Sequence, residues 1–451
     1  MALAAGLAVS GCGKKKFTTW NYVKDPAVSA QLQSFITQKE AQANSSTNEA
    51  VPEYAPFFAA ARNGNWLAVS NAFKDLRNHA GQYQHSGTTD ERIRGTKWAD
   101  VIEIWGAFDS FGEGNEKYSA IYANDIIGSI PPGSIYFGGT DPGRFLITAM
   151  QKSQVNGDPF FTLTQNALAD GTYLDYLRAM YGNQIYIPTP EDSQKCFNDY
   201  YADVQERMKN HKLKPGEKAT VDPNTGRLQV SGQVAVMAIN GLIAKVVFDQ
   251  NTNQQFYIEE SFPLDWMYPY LEPHGLIFKL NREPLTTLSD DTIQQDHDYW
   301  TNAIAPMIGD WLDEDTSVNQ TAGFAEKVFL QHNFGNFHGD PEFVKNNYSH
   351  AMFSKERSSI AGLYAWRAQN TADAGEKERM NNAADFAFRQ AWALCPYSPE
   401  AVYGYVQLLM AEKRTPDALI VAQTALKLAP DRQQAQQLKG LVSQLKQYHQ
   451  P

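Results

Sequence analysis

Residues 384–396 read ADFAFRQAWALCP, and residues 418–430 read ALIVAQTALKLAP. Four positions of the first stretch recur 34 residues later in the second. They are Ala384, Phe388, Ala391 and Pro396, which correspond to Ala418, Ala422, Ala425 and Pro430. Small residues at helical spacing let two helices approach closely, and a proline stops the helix before it. The repeat predicts helical hairpins stacked along the C-terminal third of the chain.

The period of 34 and the order of small, large and small residues before a proline resemble tetratricopeptide repeats. We expect second helices over 381–394 and 416–428, a first helix over 399–411 and a capping helix over 432–448. The earlier repeat starts near Ile360 and has a longer turn than the family pattern. A tetratricopeptide array over 358–451 is therefore the prediction, with a generic helical bundle as the alternative. The resemblance implies a groove that binds a protein partner.

The middle of the chain, over 115–290, alternates helical patterns with short apolar runs bounded by turn residues. Alternation of this kind favours a parallel sheet covered by helices. The fold class that we expect is a Rossmann-like α/β domain followed by an all-α repeat array, with a helical segment before both. The four predicted strands cover 134–137, 160–164, 255–258 and 275–280.

Parts of this middle region resemble the soluble region of protein-O-mannosyltransferase-like membrane proteins of unknown function. The resemblance lies in 122–137, in Gly139-Thr140-Asp141, and in 255–258 and 268–278. It implies the α/β fold and an extracytoplasmic address. It does not imply a transferase reaction, because that family's catalytic carboxylates belong to a multi-pass membrane portion, and this sequence has no run of 18 apolar residues.

The first sixteen residues read MALAAGLAVSGCGKKK. A short apolar run ends at Val9-Ser10-Gly11-Cys12, which resembles a bacterial lipobox, although no basic residue follows Met1. The resemblance implies lipid attachment at Cys12 and a lipid-anchored protein of the bacterial cell envelope. A chance Ala-rich start of a cytoplasmic protein is the alternative. The remaining predicted segments are a signal peptide over 1–12, a tether over 13–50 with one amphipathic helix over 26–42, a helical unit over 51–114 and a connector over 291–357.

A glycine-rich loop at 138–144 is the strongest candidate for a ligand site. It lies between a predicted strand and a predicted helix, where parallel sheets bind ligands and helix N-termini attract anions. The residues that we expect to bind are Gly139, Thr140, Asp141, Arg144, Gln165 and Asn166. The spacing fits neither a dinucleotide fingerprint nor a P-loop. A helix cap by Thr140 or Asp141 explains the same residues without a ligand.

Other reactive residues form no pattern that predicts chemistry. His332 and His338 are six residues apart, which suits neither a helix face nor a zinc knuckle, so no metal is expected. We expect His297 to lie on a solvated helix face, and the acidic run 310–315 to end an amphipathic helix. Cys196 and Cys395 are expected to fill a core or a groove. Nucleophile motifs are absent from the sequence.

The composition narrows the class of partner. The 451 residues carry a formal net charge of −11, which argues against nucleic acid, because phosphate binding needs clustered Lys and Arg. No cofactor is expected, and enzymatic activity is the weaker expectation. Two functions remain open. The first is a membrane-anchored scaffold whose repeat groove binds an envelope protein. The second is an accessory protein or enzyme of envelope glycan transfer with a ligand site at the Asp141 loop.

Overall fold

A computed structural model describes residues 25–45, 51–80, 90–151, 157–221, 228–260 and 264–448. Of the residues that the structure describes, 68% are helical, and seven short strands are present among them. Its chain forms two compact units. The first comprises the described residues up to Asp109, together with Pro132–Gly139 and Thr148–Gln254. The second comprises Ser110–Pro131, Thr140–Ile147 and the chain from Gln255 onward. The predicted segment boundaries at 115, 291 and 358 stay predictions.

The N-terminal part of the chain contains a packed helix close to the amphipathic helix predicted over 26–42 within the tether. Helix α1, Pro26–Asn44, begins after Asp25, whose carboxylate accepts a hydrogen bond from the Ala27 N–H at 2.8 Å. Its Leu32, Phe35 and Ile36 are buried, so this stretch contributes to the core of the first unit. The helices that follow are α2 (Ala55–Arg62), α3 (Trp66–Ala80), α4 (Glu91–Arg94) and α5 (Trp98–Glu113).

The rest of the first unit alternates strands and helices. Strands β1 (Ile135–Gly138) and β2 (Phe161–Thr164) pair in parallel, with Ile135 opposite Phe161. All eight of their residues are buried, as expected for parallel strands covered on both faces. The remaining elements are α8 (Gly171–Tyr181), α9 (Pro190–Lys209), the antiparallel strands β3 (Lys218–Val221) and β4 (Leu228–Ser231), and α10 (Gln233–Gln250). The β3–β4 hairpin was not predicted.

The second unit contains three antiparallel strands. Strands β5 (Phe256–Glu259), β6 (Leu271–His274) and β7 (Ile277–Leu280) pair in the order β5-β7-β6. The prediction of a wholly parallel sheet is therefore wrong for β5 and β7, and β6 was not among the predicted strands. For β6 and β7 the cause is the short connection between them, since two strands joined by so few residues can pair only as a hairpin.

Helices make up the remainder of the second unit. They are α6 (Glu116–Ser129), α7 (Asp141–Met150, whose last three residues belong to the first unit), α11 (Asp290–Ile308), α12 (Val318–Ala325), α13 (Pro341–Lys345), α14 (Asn347–Gln369), α15 (Ala374–Leu394), α16 (Pro399–Ala411), α17 (Thr415–Leu428) and α18 (Arg432–Tyr448). A five-residue π-helix, Glu326–Leu330, follows α12. In the described parts of the chain, none of the helices combines the length and the apolar character needed to cross a membrane.

The residues at the repeat positions are buried or follow a helix end, as the repeat predicts. Each of Ala384, Ala391, Ala418, Ala422 and Ala425 is fully buried, and Phe388 is nearly so. Pro396 and Pro430 follow the last residues of α15 and α17 by two positions, so each stands just beyond a helix end. Helices α14 and α15 form one antiparallel hairpin, α16 and α17 form the next, and α18 packs on α17.

A close approach between α15 and α16 explains a glycine in the repeat. A side chain at Gly404 would begin 2.5 Å from the ring of Phe388, which leaves no room for even a methyl group. The rings of Phe388 and Tyr405 stack beside it, 6.1 Å apart between centroids. The two helices therefore pack at the short distance that small residues allow.

Candidate functional site

The Gly138–Arg144 loop holds a carboxylate of its own chain. The Thr140 N–H donates to Glu259 Oε2 at 3.0 Å, and the Thr140 hydroxyl donates to the same carboxylate. The Gly143 N–H donates to Thr140 Oγ1 at 3.2 Å, which caps α7. A Cβ atom at Gly143 would lie 1.7 Å from Glu259 Oε2. Glu259 thus fills the place at the helix N-terminus that an anionic ligand would take.

The other residues predicted for this site fall into two groups. Asp141 is the exposed first residue of α7, and Arg144 places its guanidinium 4.3 Å from the centroid of the Phe145 ring. In the first unit, the Asn166 amide donates to the Gly139 carbonyl at 2.8 Å, while Gln165 is buried. These contacts hold the loops in place. A ligand at Asp141 stays a prediction.

Glu259 has a second carboxyl group beside it. Glu356 is buried on α14 and is hydrogen-bonded to Glu259, and its Oε1 accepts from the Tyr122 hydroxyl at 2.9 Å. Two carboxyls share a hydrogen bond only when one of them is protonated. Burial, with the nearby charge of Glu259 second, raises the pKa of Glu356 well above its ordinary value. Glu356 therefore carries the shared proton.

This shared proton makes stability depend on pH. A pKa that is raised in the folded state adds stability that is fully present at a pH below the unfolded-state pKa. This added stability is lost as the pH rises through the window from the unfolded-state pKa to the folded-state pKa. We expect Glu356→Gln, which mimics the protonated acid, to gain up to about 1.4 kcal/mol relative to wild type per pH unit in that window. Urea unfolding at pH 5 to 8 measures the difference. The control Glu378→Gln, at an exposed position, should differ from wild type by the same free energy of unfolding at every pH. A difference that is equally independent of pH for Glu356→Gln would contradict the shared proton.

The histidines considered for metal binding differ in their burial and in their partners. His338 is exposed, with Nδ1 3.9 Å from Asp310 Oδ1. His350 is buried and bonds the Tyr397 hydroxyl at 2.7 Å, and burial lowers its pKa to about 4. Across the described ranges, no three His, Cys, Asp or Glu side chains are grouped to hold a metal ion. Cys196 and Cys395 are free and buried, as predicted, and Cys12 lies outside the described residues.

A charged cavity of about 520 Å³ opens in the second unit. Its walls are α11, α15, the loop after α11 and the turn between α16 and α17. The lining residues are Asp290, Ile293, Gln294, His297, Glu314, Asp315, Arg379, Asn382, Ala383, Asp385, Phe386, Arg389, Glu412 and Arg414. A cavity of this volume is in the range of sites that accept a small molecule or a few side chains.

Local capping fixes the two helices that wall this cavity. The Ser289 hydroxyl accepts from the Thr292 N–H at the start of α11, and the Asp373 carboxylate accepts from the Glu376 N–H at the start of α15. Arg379 then joins the two helices, because its guanidinium contacts Asp290 Oδ1 at 2.6 Å. The wall is therefore tied at both helix N-termini.

A buried ion network forms the floor of the cavity. Asp385 accepts hydrogen bonds from Arg389, from the Tyr405 hydroxyl at 3.1 Å and from Arg414 at 2.8 Å. Arg389 also donates to the carbonyls of Glu314, at 2.9 Å, and Thr316, and so holds the loop after α11 against α15. Asp385 and Arg389 are each less than one-tenth exposed.

His297 lines the cavity. The sequence predicts that it lies on a solvated helix face, and that prediction is wrong. It is only 8% exposed, and its Nδ1 lies 3.2 Å from Glu314 Oε1. Burial, with the positive charge of Arg357 second, lowers the pKa of His297, so the ring is neutral. The acidic run also differs from its prediction: α11 ends at Ile308, and Glu314 and Asp315 stand on the following loop.

Comparison with protein families assigns the helices behind this cavity. Residues 377–442 match the family model described as Tetratricopeptide repeat. The protein therefore contains tetratricopeptide repeats over α15 to α18. Neither curated proteins nor solved structures give a match to the chain. Eight of the fourteen cavity residues, from Arg379 to Arg414, lie within the matched segment.

Proposed function

We propose that the second unit is a scaffold that binds a segment of a protein partner in the cavity between α11 and α15. The observation that carries the proposal is that tetratricopeptide helices provide more than half of the cavity lining. Such repeats generally mediate protein–protein interaction, which supports a protein partner over a small metabolite. No catalytic role is proposed.

The walls of the cavity favour binding because they are rigid before a partner arrives. Asp385, Arg389 and Arg414 are fixed to one another and to backbone carbonyls, so their side chains lose little freedom on association. A preorganised surface keeps more of its contact energy as affinity. Asn382, in contrast, is exposed at the cavity, and its side chain makes no hydrogen bond to the residues that the structure describes.

Blocking the cavity tests the proposal. Asn382→Trp places a large ring at the cavity from an exposed helix position, so the fold should persist. We expect proteins captured by the wild-type chain to be recovered at least about tenfold less well with Asn382→Trp, because bulk at the centre of an interface removes the contacts around it. Lys377→Trp, on the same helix outside the cavity, is the control. Equal capture by both variants would contradict the proposal.

We also propose that the scaffold works at the bacterial cell envelope, held by lipid at Cys12. The support is the lipobox-like tetrad that ends at Cys12, together with the extracytoplasmic address implied by the resemblance of the middle region. Metabolic labelling with a palmitate analogue tests this. Label should enter the wild-type chain and be lost in Cys12→Ser; label that survives the substitution would overturn the anchor.

A further inference from the structure

The charges around the cavity between α11 and α15 do not balance. Its lining carries five carboxylates and three guanidinium groups. All three guanidiniums are occupied: Arg379 by Asp290, Arg389 by Asp385, and Arg414 by Asp385 and Glu412. The cavity therefore keeps an excess of two negative charges, and these can be assigned to particular residues.

Glu314 and Asp315 are the carboxylates that account for the excess. The Glu314 side chain is 69% exposed and has the neutral His297 ring as its neighbour. Asp315 is exposed, and within the described part of the chain no Lys, Arg or His makes an ion pair with it. Both stand on the loop that Arg389 holds in place, so their positions at the rim are fixed.

His297 adds an independent indication of what would bind. Its Nδ1 faces a carboxylate, so that nitrogen carries the proton, and Nε2 of the neutral ring must be an acceptor. Among the described residues, that buried Nε2 has no hydrogen-bond partner. The residue as a whole is 8% exposed, and it lines the cavity. A buried acceptor without a donor is costly, and a ligand with N–H groups would relieve the cost.

The opposite wall offers two further contacts. Arg389 Nε is buried and likewise lacks an acceptor among the residues that the structure describes, which suits a backbone carbonyl. The Phe386 ring lines the same cavity and can pack against the aliphatic stem or the cationic head of a basic side chain. A peptide supplies the cation, the N–H donor and the carbonyl together, whereas a metal ion would supply only charge.

We propose that the cavity binds a peptide segment through a Lys or Arg side chain, which reaches between Glu314, Asp315 and His297 while the peptide backbone meets Arg389. This inference rests on the proposed scaffold function and specifies its partner chemistry. The basic side chain is the specificity element, because an acidic residue in its place would meet two uncompensated carboxylates.

Selection of peptides against the full chain tests the inference. The probe is a displayed library of random heptapeptides, panned on wild type and on Glu314→Gln/Asp315→Asn. Wild type should enrich peptides with Lys or Arg at one position, and the double variant should lose that enrichment. A synthetic peptide from the wild-type pool should bind the double variant at least about tenfold more weakly, measured by fluorescence anisotropy.

A matched variant controls for net charge. Glu283→Gln/Glu342→Gln removes two exposed carboxylates outside the cavity and should select and bind as wild type does. Failure of wild type to enrich Lys or Arg, or equal enrichment by the Glu314/Asp315 variant, would overturn the inference. If peptides without Lys or Arg bind wild type and Asn382→Trp abolishes their binding, the inference fails and the scaffold function stands. If Asn382→Trp leaves peptide binding intact, the scaffold function itself is contradicted.

Discussion

Arg357→Met should lower the free energy of unfolding of the second unit by about 3–5 kcal/mol, because it leaves a buried carboxylate without its cation. Arg357 is fully buried on α14 and donates to Asp296 Oδ2 at 2.7 Å and to Gln390 Oε1 at 2.8 Å. Its guanidinium also lies 5.2 Å from the centroid of the Trp300 ring. Without Arg357, Asp296 retains only the Tyr364 hydroxyl, at 2.8 Å, as a donor in the described structure.

A double-mutant cycle separates charge from packing in this prediction. Asp296→Asn removes the stranded charge, so Arg357→Met/Asp296→Asn should be more stable than Arg357→Met alone. Urea denaturation, monitored by tryptophan fluorescence, gives the unfolding free energies. Strictly additive effects, or a loss below about 1 kcal/mol for Arg357→Met, would show that the ion pair contributes little to the fold.

Trp392→Ala is the second large effect, with an expected loss of about 3–5 kcal/mol from the cavity it creates. Trp392 is fully buried on α15, and its indole N–H donates to the Pro396 carbonyl at 3.1 Å. Its ring lies 6.2 Å from that of Tyr405 on α16, between centroids. The side chain therefore links the end of one repeat helix to the next helix.

The matched control is an exposed aromatic residue on the same helical array. Tyr448, at the end of α18, is 71% exposed, so Tyr448→Ala should change stability by no more than about 0.5 kcal/mol. Thermal unfolding followed by circular dichroism measures both variants. Equal effects of the two substitutions would contradict the packing of Trp392 between the repeats.

The repeat array was the part of the fold most open to prediction from sequence. Its 34-residue period depends on contacts between neighbouring helices, which local spacing records. The predicted ranges 399–411 and 432–448 match α16 and α18, and the helix predicted over 381–394 starts earlier, at Ala374. The early start follows from Asp373, which caps the helix from a polar stretch without an apolar pattern.

Strand direction was less open to prediction. Apolar runs located β1, β2, β5 and β7 to within a few residues, because all of their residues except Lys279 are buried. Pairing depends on contacts between distant segments, so the runs could not show that β5, β6 and β7 are antiparallel. The β3–β4 hairpin was missed because most of its residues are exposed and carry no apolar alternation.

The cavity was missed for an electrostatic reason. Asp385 and Arg389 are four residues apart on α15, which in a sequence indicates a solvated ion pair on a helix surface. Their burial depends on Arg414, Tyr405 and the loop after α11, which only the tertiary structure brings to them. The one available signal was a charged pair inside a helix whose neighbouring positions are repeat-core residues.

Site-specific photo-crosslinking at Asn382 tests the scaffold function most directly. A benzophenone amino acid at this position, in the full-length chain within cells that produce it, captures whatever protein occupies the cavity between α11 and α15. The same residue at Lys377, on α15 outside the cavity lining, reports random encounters. The scaffold predicts a discrete crosslinked protein at Asn382 and none at Lys377. No adduct at Asn382, or the same adducts at both positions, would contradict it.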